Sequence, residues 1–224
     1  MSIVIAIDGT AACGKGTIAK LLARHYGFAH LDSGALYRLV ALGVLDAGGN
    51  PSNPADAVAS ARRIDTSAVN DPRLRSARVG EASSQVAPIP EVRAAILGFQ
   101  RQFGAQPPNG APGAVIDGRD IGTVICPNAT AKLFIDARPE IRARRRWLEL
   151  NSQNASPLPD LAAVDAELRA RDARDRSRAI APLRQAEDAV LLDTSDLDIE
   201  AAFAKALELV NPSVEKALAA RPRG

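Results

Sequence analysis

Apolar residues recur along the chain in two alternating rhythms. Short apolar runs read as buried strands: Ser2–Ile7, closed by Asp8-Gly9, then Phe28–Leu31, Ala114–Ile116, Ala131–Ile135 and Ala189–Leu192. Between them lie stretches with helical spacing. Lys15–Tyr26 places Ile18, Leu21 and Leu22 on one side and stops at Gly27. A second helix is predicted over Ala35–Ala47, before Gly48-Gly49-Asn50-Pro51. Pro90 stands at a first helical position and starts another through Phe103. Glu140–Leu150, Leu161–Arg178 and Ile199–Val210 complete the helical set. Segment 52–88 is weakly hydrophobic and helix-prone only in places. Gln106–Pro112 reads as a loop, Asn151–Pro159 as a polar linker that moves, and Ala219–Gly224 as a frayed tail. Strands alternating with helices predict an α/β fold, a five-stranded parallel sheet covered on both faces.

Composition narrows the picture. The chain has 224 residues, 46% of them hydrophobic, only 4% aromatic and 24% charged. It is long enough for one sizeable core, built from Ala, Leu, Ile and Val. The apolar run Leu39–Leu45 is too short to span a bilayer, and no basic stretch precedes the first apolar residues, so neither an anchor nor a signal peptide is expected. Cys13 and Cys126 make no disulfide framework, which suits a reducing cytoplasm. A net charge of +2 argues against a nucleic-acid binder. The arginines nevertheless cluster, at Arg142 and Arg144–Arg146 and again at Arg169, Arg171, Arg174, Arg176 and Arg178. Guanidinium forks suit phosphate oxygens, so a small polyphosphate ligand is expected.

The strongest local signal is Gly9-Thr10-Ala11-Ala12-Cys13-Gly14-Lys15-Gly16-Thr17, after a strand and at the start of a helix. It resembles a phosphate-binding loop. Glycines let backbone N–H groups close on phosphate oxygens, the helix N-terminus adds a positive dipole end, and Lys15 adds a point charge. Cys13 reads better as a small filler than as a nucleophile.

Three further segments sit where ligands of an open parallel sheet bind, past strand ends or on a later charged helix. Asp32-Ser33-Gly34 with Arg38 could hold a second anion, or be a helix cap with a solvated arginine. Asp117-Gly118-Arg119-Asp120 suits metal and phosphate handling, or is a tight turn. Arg171, Arg174 and Arg178 fall at i, i+3 and i+7 and would share a helix face; the plainer reading is a solvated helix with i,i+4 pairs such as Arg171–Asp175.

Taken together the segments resemble the bacterial cytidylate kinases. The matching pieces are GxxxxGKGT at 9–17, LDSGALYR at 31–38, ASSQVAPIPEVR at 82–93, DGRDIGTV at 117–124, KLFIDA at 132–137 and RDxRDRxRAxAPL at 171–183. The resemblance implies a P-loop kinase that moves the γ-phosphoryl group of ATP to CMP or dCMP. It also implies a set of roles. Residues 9–17 would hold ATP, with Thr17 on Mg²⁺. Ser33, Arg38 and Arg119 would hold the acceptor phosphate. Ser84, Arg93 and Asp120 would read the cytosine edge, and Arg171 and Asp175 would contact the sugar. Lys15, Arg174 and Arg178 would serve the transfer itself, with Arg145 and Arg146 supporting the ATP side.

The implied organisation is a single kinase domain acting as a monomer. Its core would be 1–50, 105–150 and 185–215, its acceptor-binding region 51–104 and its lid 151–183. Two departures stand out. Thr10-Ala11-Ala12 replaces a Pro-Ser-Gly common in the family, so one hydroxyl contact moves or disappears. Asp65–Glu81 is short and Arg-rich where many relatives carry a small extra sheet, so that insertion is either reduced to helices or missing. The alternatives are a P-loop kinase for another small acceptor, such as UMP, another monophosphate or shikimate, and a GTP-binding switch, for which the Asn-Lys-x-Asp guanine reader is lacking.

Overall fold

The computed structural model describes residues 2–152 and 159–220. The middle of the expected linker and the last four residues of the expected tail lie outside the described residues. Five strands form one parallel sheet: β1 (Ile3–Gly9), β2 (Ala29–Asp32), β3 (Gly113–Gly118), β4 (Ala131–Asp136) and β5 (Val190–Asp193), in the order β2-β3-β1-β4-β5. The period-two alternation of β1 divides the core. Ile3, Ile5 and Ile7 pack with α1 (Lys15–Tyr26) and α8 (Ile199–Ala219) on one face. Val4 and Ala6 pack on the other with Ile116, Ile121 and α5 (Pro90–Ala105).

A second cluster lies beside the sheet, where α2 (Ser33–Asp46), α3 (Pro54–Ala61), α4 (Ala77–Val86) and α5 bury Leu36, Val40, Val79, Val86 and Ile96. A third, smaller one joins α6 (Pro139–Ser152) to α7 (Leu161–Ser177) through Ala143, Leu150, Val164 and Leu168, with Ala11 of the 9–17 loop between them. Segment 64–81 contains no strand. It is two 3-10 turns, Thr66–Asn70 and Pro72–Arg75, each capped by the aspartate before it, followed by the first turns of α4. Among the described residues no helix is long and apolar enough to cross a membrane.

The expected helix Ile199–Val210 continues to Ala219 straight through Pro212. Proline removes one helix hydrogen bond and ordinarily breaks the run. Here Val210 and Val214, on either side of it, are fully buried in the β1 core, and Asn211 accepts a hydrogen bond from the Tyr26 hydroxyl. Packing on both sides of the proline holds the helix together.

Register places the carboxyl ends of the central strands side by side: Asp8 opposite Gly118, Gly9 opposite Ile135, and Asp32 opposite Asp117. Asp8 ties this edge together. Its buried carboxylate accepts the N–H groups of Ile121 and Gly122 at 2.7 and 2.8 Å, so the turn after β3 hangs from the end of β1.

Burial pushes the Asp8 carboxyl up to about 7, against the pull of those two N–H groups, from 3.8 in a solvated chain. Between these values the folded protein holds a proton that the unfolded chain has released. The stability linked to that proton is therefore lost as pH rises from about 4 through 7. Asp8→Asn cannot titrate. Denaturant unfolding at pH 4.5 and pH 8 should shift in favour of the variant at the higher pH, by at most about 1.4 kcal/mol per pH unit. An offset identical at both pH values would mean that Asp8 titrates as an ordinary carboxylate.

Candidate active site

The 9–17 loop turns directly from β1 into α1. A Cβ on Gly9 would stand 2.0 Å from the backbone oxygen of Ile135, so only glycine lets β4 approach here. Gly14 caps α1 in a left-handed conformation, with φ 91°. Ala12 also has a positive φ, 59°, which a residue with a side chain adopts at a cost. Thr10 is fully buried and its hydroxyl donates to Asp136, away from the cleft. The hydroxyl contact questioned by the departure from Pro-Ser-Gly is therefore absent from the ligand side. Cys13 is buried in the core cluster, as expected of a filler. Gly9, Thr10 and Cys13 shape the loop without lining the central cleft, whereas Ala11, Ala12 and Gly14–Thr17 line it.

That cleft, about 370 Å³, runs from the loop to α4 and α5. The structure brings to its walls Lys15, Thr17, Ser33, Arg38, Ser84, Arg93, Arg119, Asp120, Arg171, Asp175 and Arg178, all of them predicted from the sequence. Arg174 does not join them. It is exposed and outside the lining. The side of α7 turned to the cleft runs through Leu168, Arg171 and Asp175, and Arg178, where the chain leaves the helix at φ −59° and ψ 133°, also lines it.

The electrostatics are those of several cations crowded together partly out of water. Burial pulls the Lys15 ammonium down, and the nearby Arg119 pulls it further. Arg171 falls to about 9 through burial, then through Arg119, Arg38 and Arg146. Arg38 and Arg178 are lowered for the same two reasons, burial and neighbouring cations. Among the described residues the buried Nε atoms of Arg171 and Arg178 have no hydrogen-bond partner. Carboxylates offset only part of this crowding. Asp175 accepts from Arg119 at 2.8 Å on one oxygen and from Arg178 on the other, which leaves a lone pair on each for a further donor such as a sugar hydroxyl. Asp120 pairs with Arg93, whose guanidinium lies 5.6 Å from the centre of the Tyr37 ring. Burial raises the Asp120 carboxyl, and Arg93, Arg178 and Arg119 draw it back. Lys15 donates to the Thr10 carbonyl at 3.0 Å.

Two residues outside the expected set hold the loop. The Asp172 carboxylate accepts the Ala11 N–H at 3.1 Å, and Arg142 donates to the Ala11 carbonyl at 3.1 Å and pairs with Asp172. Asp172 stood inside the 171–183 motif; its spacing from Leu168 and Val164 put it on the apolar face, which was the available signal. A second space, about 700 Å³, opens on the other side of the loop between α6 and the start of α8, lined by Ala12, Thr17, Arg145, Arg146, Leu197 and Ile199 among others. Arg145 is fixed there by hydrogen bonds to Thr194 and the Leu197 carbonyl.

Among the described residues no cluster of three His, Cys, Asp or Glu could enclose a metal ion. Mg²⁺ in phosphoryl-transfer sites needs only one or two protein oxygens beside phosphates and water. Thr17 is exposed at the cleft, and Asp117, one oxygen of which is bound to His30, turns the other toward Gly16. These residues fit that limited demand.

A family model described as cytidylate kinase matches residues 5–212. A cytidylate kinase of Nitrobacter winogradskyi is 52% identical over 207 residues, covering 92% of this chain and 95% of that protein. One of Bradyrhizobium diazoefficiens is 49% identical over 221 residues, covering 99% and 100%. A solved structure of an uncharacterized protein from Eubacterium ventriosum superposes with a TM-score of 0.54 at 14% identity, over 93% of this chain and 98% of its own, and shares the fold. With a phosphate loop, a cation-lined cleft beside it and this likeness along nearly the whole sequence, the chain belongs to the cytidylate kinase family.

Proposed function

We propose that the chain transfers the γ-phosphoryl group of ATP to CMP or dCMP, giving CDP or dCDP and ADP. The observation that carries this reading is that one cleft contains both the phosphate loop and the buried Arg93–Asp120 pair, with Arg38, Arg119, Arg171 and Arg178 on the same walls. Ser33, Arg38 and Arg119 hold the acceptor phosphate. Arg93, Asp120 and Ser84 face the base. The 9–17 loop takes the donor phosphates, and the 700 Å³ space beside it receives the donor's adenosine.

The acceptor phosphate is anionic at neutral pH and needs little help from a general base. Catalysis then comes from positioning and charge neutralisation. Lys15 leaves the Thr10 carbonyl for the migrating phosphoryl group, and Arg178 meets the charge that spreads over it. Thr17, with Asp117 near, would hold Mg²⁺, which when bound neutralises charge on the donor phosphates. Helix α7 with the residues around it, 151–183, serves as the lid that excludes water; region 51–104 serves as the acceptor-binding part. The reading is that of a monomer, needing no group beyond this chain's own, in the cytoplasm, which the two free cysteines suit.

ADP release measured with ATP, Mg²⁺ and each of CMP, dCMP, UMP, AMP and GMP tests the reading. CMP and dCMP should be turned over fastest, and a preference for AMP, GMP or no nucleotide at all rejects it. Lys15→Ala should lower kcat by on the order of a hundredfold or more, without unfolding the protein. Near-normal kcat at saturating ATP would remove Lys15 from the transfer step.

Base choice gives a sharper prediction. A carboxylate accepts from the cytosine amino group and repels the uracil carbonyl, whereas an amide can turn to face either. Asp120→Asn should narrow the CMP-over-UMP preference in kcat/KM by roughly 1–3 kcal/mol. The variant also leaves Arg93 with a weaker partner in a buried place and should unfold more easily. The ratio is independent of how much enzyme is folded, so an unchanged ratio means that Asp120 does not read the base.

A further inference from the structure

The buried face of α5 carries Val92, Arg93, Ile96, Gln100 and Gly104. Gln100 is the odd member, an amide only 1% exposed among apolar neighbours. Such a group is tolerated when it is hydrogen-bonded. Its Nε2 donates to Ser33 Oγ at 2.7 Å. Ser33 is the first residue of α2, is 2% exposed, and lines the cleft. The Tyr37 hydroxyl, one helical turn further along α2, lies by the same amide. Burial pushes that phenol up to about 12, so it keeps its hydrogen.

A hydroxyl has one hydrogen and two lone pairs. Where an amide N–H occupies a lone pair of Ser33 Oγ, the Ser33 hydrogen must point elsewhere, and the cleft is what Ser33 faces. The opposite orientation, carbonyl toward serine, would take the hydrogen and turn lone pairs toward an incoming anion. We infer that Gln100 is a positioning residue for acceptor binding: by donating to Ser33 Oγ it commits the Ser33 hydroxyl to donate to the acceptor's phosphate. The inference rests on the proposed function, in which Ser33 holds that phosphate.

The test is steady-state kinetics at pH 8 with CMP and with ATP varied in turn, on wild type, Ser33→Ala, Gln100→Met, Gln100→Glu and the Gln100→Met/Ser33→Ala double variant. Gln100→Met keeps the length and removes the donor. Gln100→Glu keeps the shape and, once ionised, can only accept; because burial raises such a carboxyl, its KM for CMP is also followed up to about pH 9.5, and the value at the highest pH is the one that decides. Both should raise KM for CMP by about tenfold, the loss expected for one hydrogen bond to a charged group, and leave KM for ATP within about twofold. The double variant should lose less than the product of the two single losses, because Gln100 acts through Ser33. Losses that multiply, or an unchanged KM for CMP in Gln100→Glu, overturn the inference; if Gln100→Met does not fold, Gln100→Glu decides alone. Wild type inactive on CMP overturns the proposed function and this inference with it, whereas active wild type with unaffected Gln100 variants overturns this inference alone.

Discussion

The structure is organised around a repulsion. Lys15, Arg38, Arg119, Arg171 and Arg178 face one cleft, each partly or wholly out of water, and several are lowered by burial and by one another. Like charges brought this close cost free energy that must be recovered elsewhere. Part is recovered by Asp175, which bridges Arg119 and Arg178, and part by Asp120 on Arg93. Buried pairs of this kind contribute little net stability, since desolvation offsets much of the attraction. Their use lies in holding guanidinium groups in fixed positions on the cleft wall, which in the proposed reading meets a polyanion. Preorganised charge of this sort is what phosphoryl transfer requires.

Fixed cations are useful only if the loop beneath them is fixed as well. The peptide at Ala11 is held at both ends, its N–H by Asp172 on α7 and its carbonyl by Arg142 on α6. The same α7 carries Arg171 and Asp175, and the chain leaving it carries Arg178. Arginines and loop therefore share a common reference, closed by the Arg142–Asp172 pair. Misplacement by about 1 Å is enough to cost large factors in rate, which gives a physical reason for a buried ion pair at the joint.

What could be read from the sequence follows from how local each signal is. Helix α1 runs from Lys15 to Tyr26 as expected, because a glycine stands immediately before it and another immediately after it. The five strands appear where apolar runs predict them, but several extend further. β1 reaches Gly9 and β3 reaches Gly118, because pairing in register continues through the polar residues at the sheet's edge. Region 52–88 resisted reading because its helices are short and are held by contact with α2, not by strong periodicity of their own. Most of the cleft was legible, since motif residues at strand ends converge by topology alone. Arg174 lies off the side of α7 that Leu168, Arg171 and Asp175 turn to the cleft, so i,i+3 spacing from Arg171 alone did not fix which way it faces. Gln100, Asp172 and Arg142 were passed over because their work is done through another residue, and no motif of reacting groups contains such a partner.

The turn after β3 shows how closely these tasks are joined. Arg119 and Asp120 are neighbours in sequence yet serve opposite sides: Arg119 reaches Asp175 on α7, and Asp120 reaches Arg93 on α5. Asp8 holds the next two N–H groups, so the turn cannot shift without breaking hydrogen bonds to the central strand. In the proposed reading the first of these residues binds phosphate and the second reads the base. Both are then set by one backbone conformation, at φ −143° and ψ 25° for Asp120. A base that fits Asp120 presents its phosphate where Arg119 already stands, and one that pushes Asp120 aside also displaces Arg119. Discrimination at the base is thereby expressed in the transfer step as well as in binding, which is the form of selectivity that kcat/KM measures.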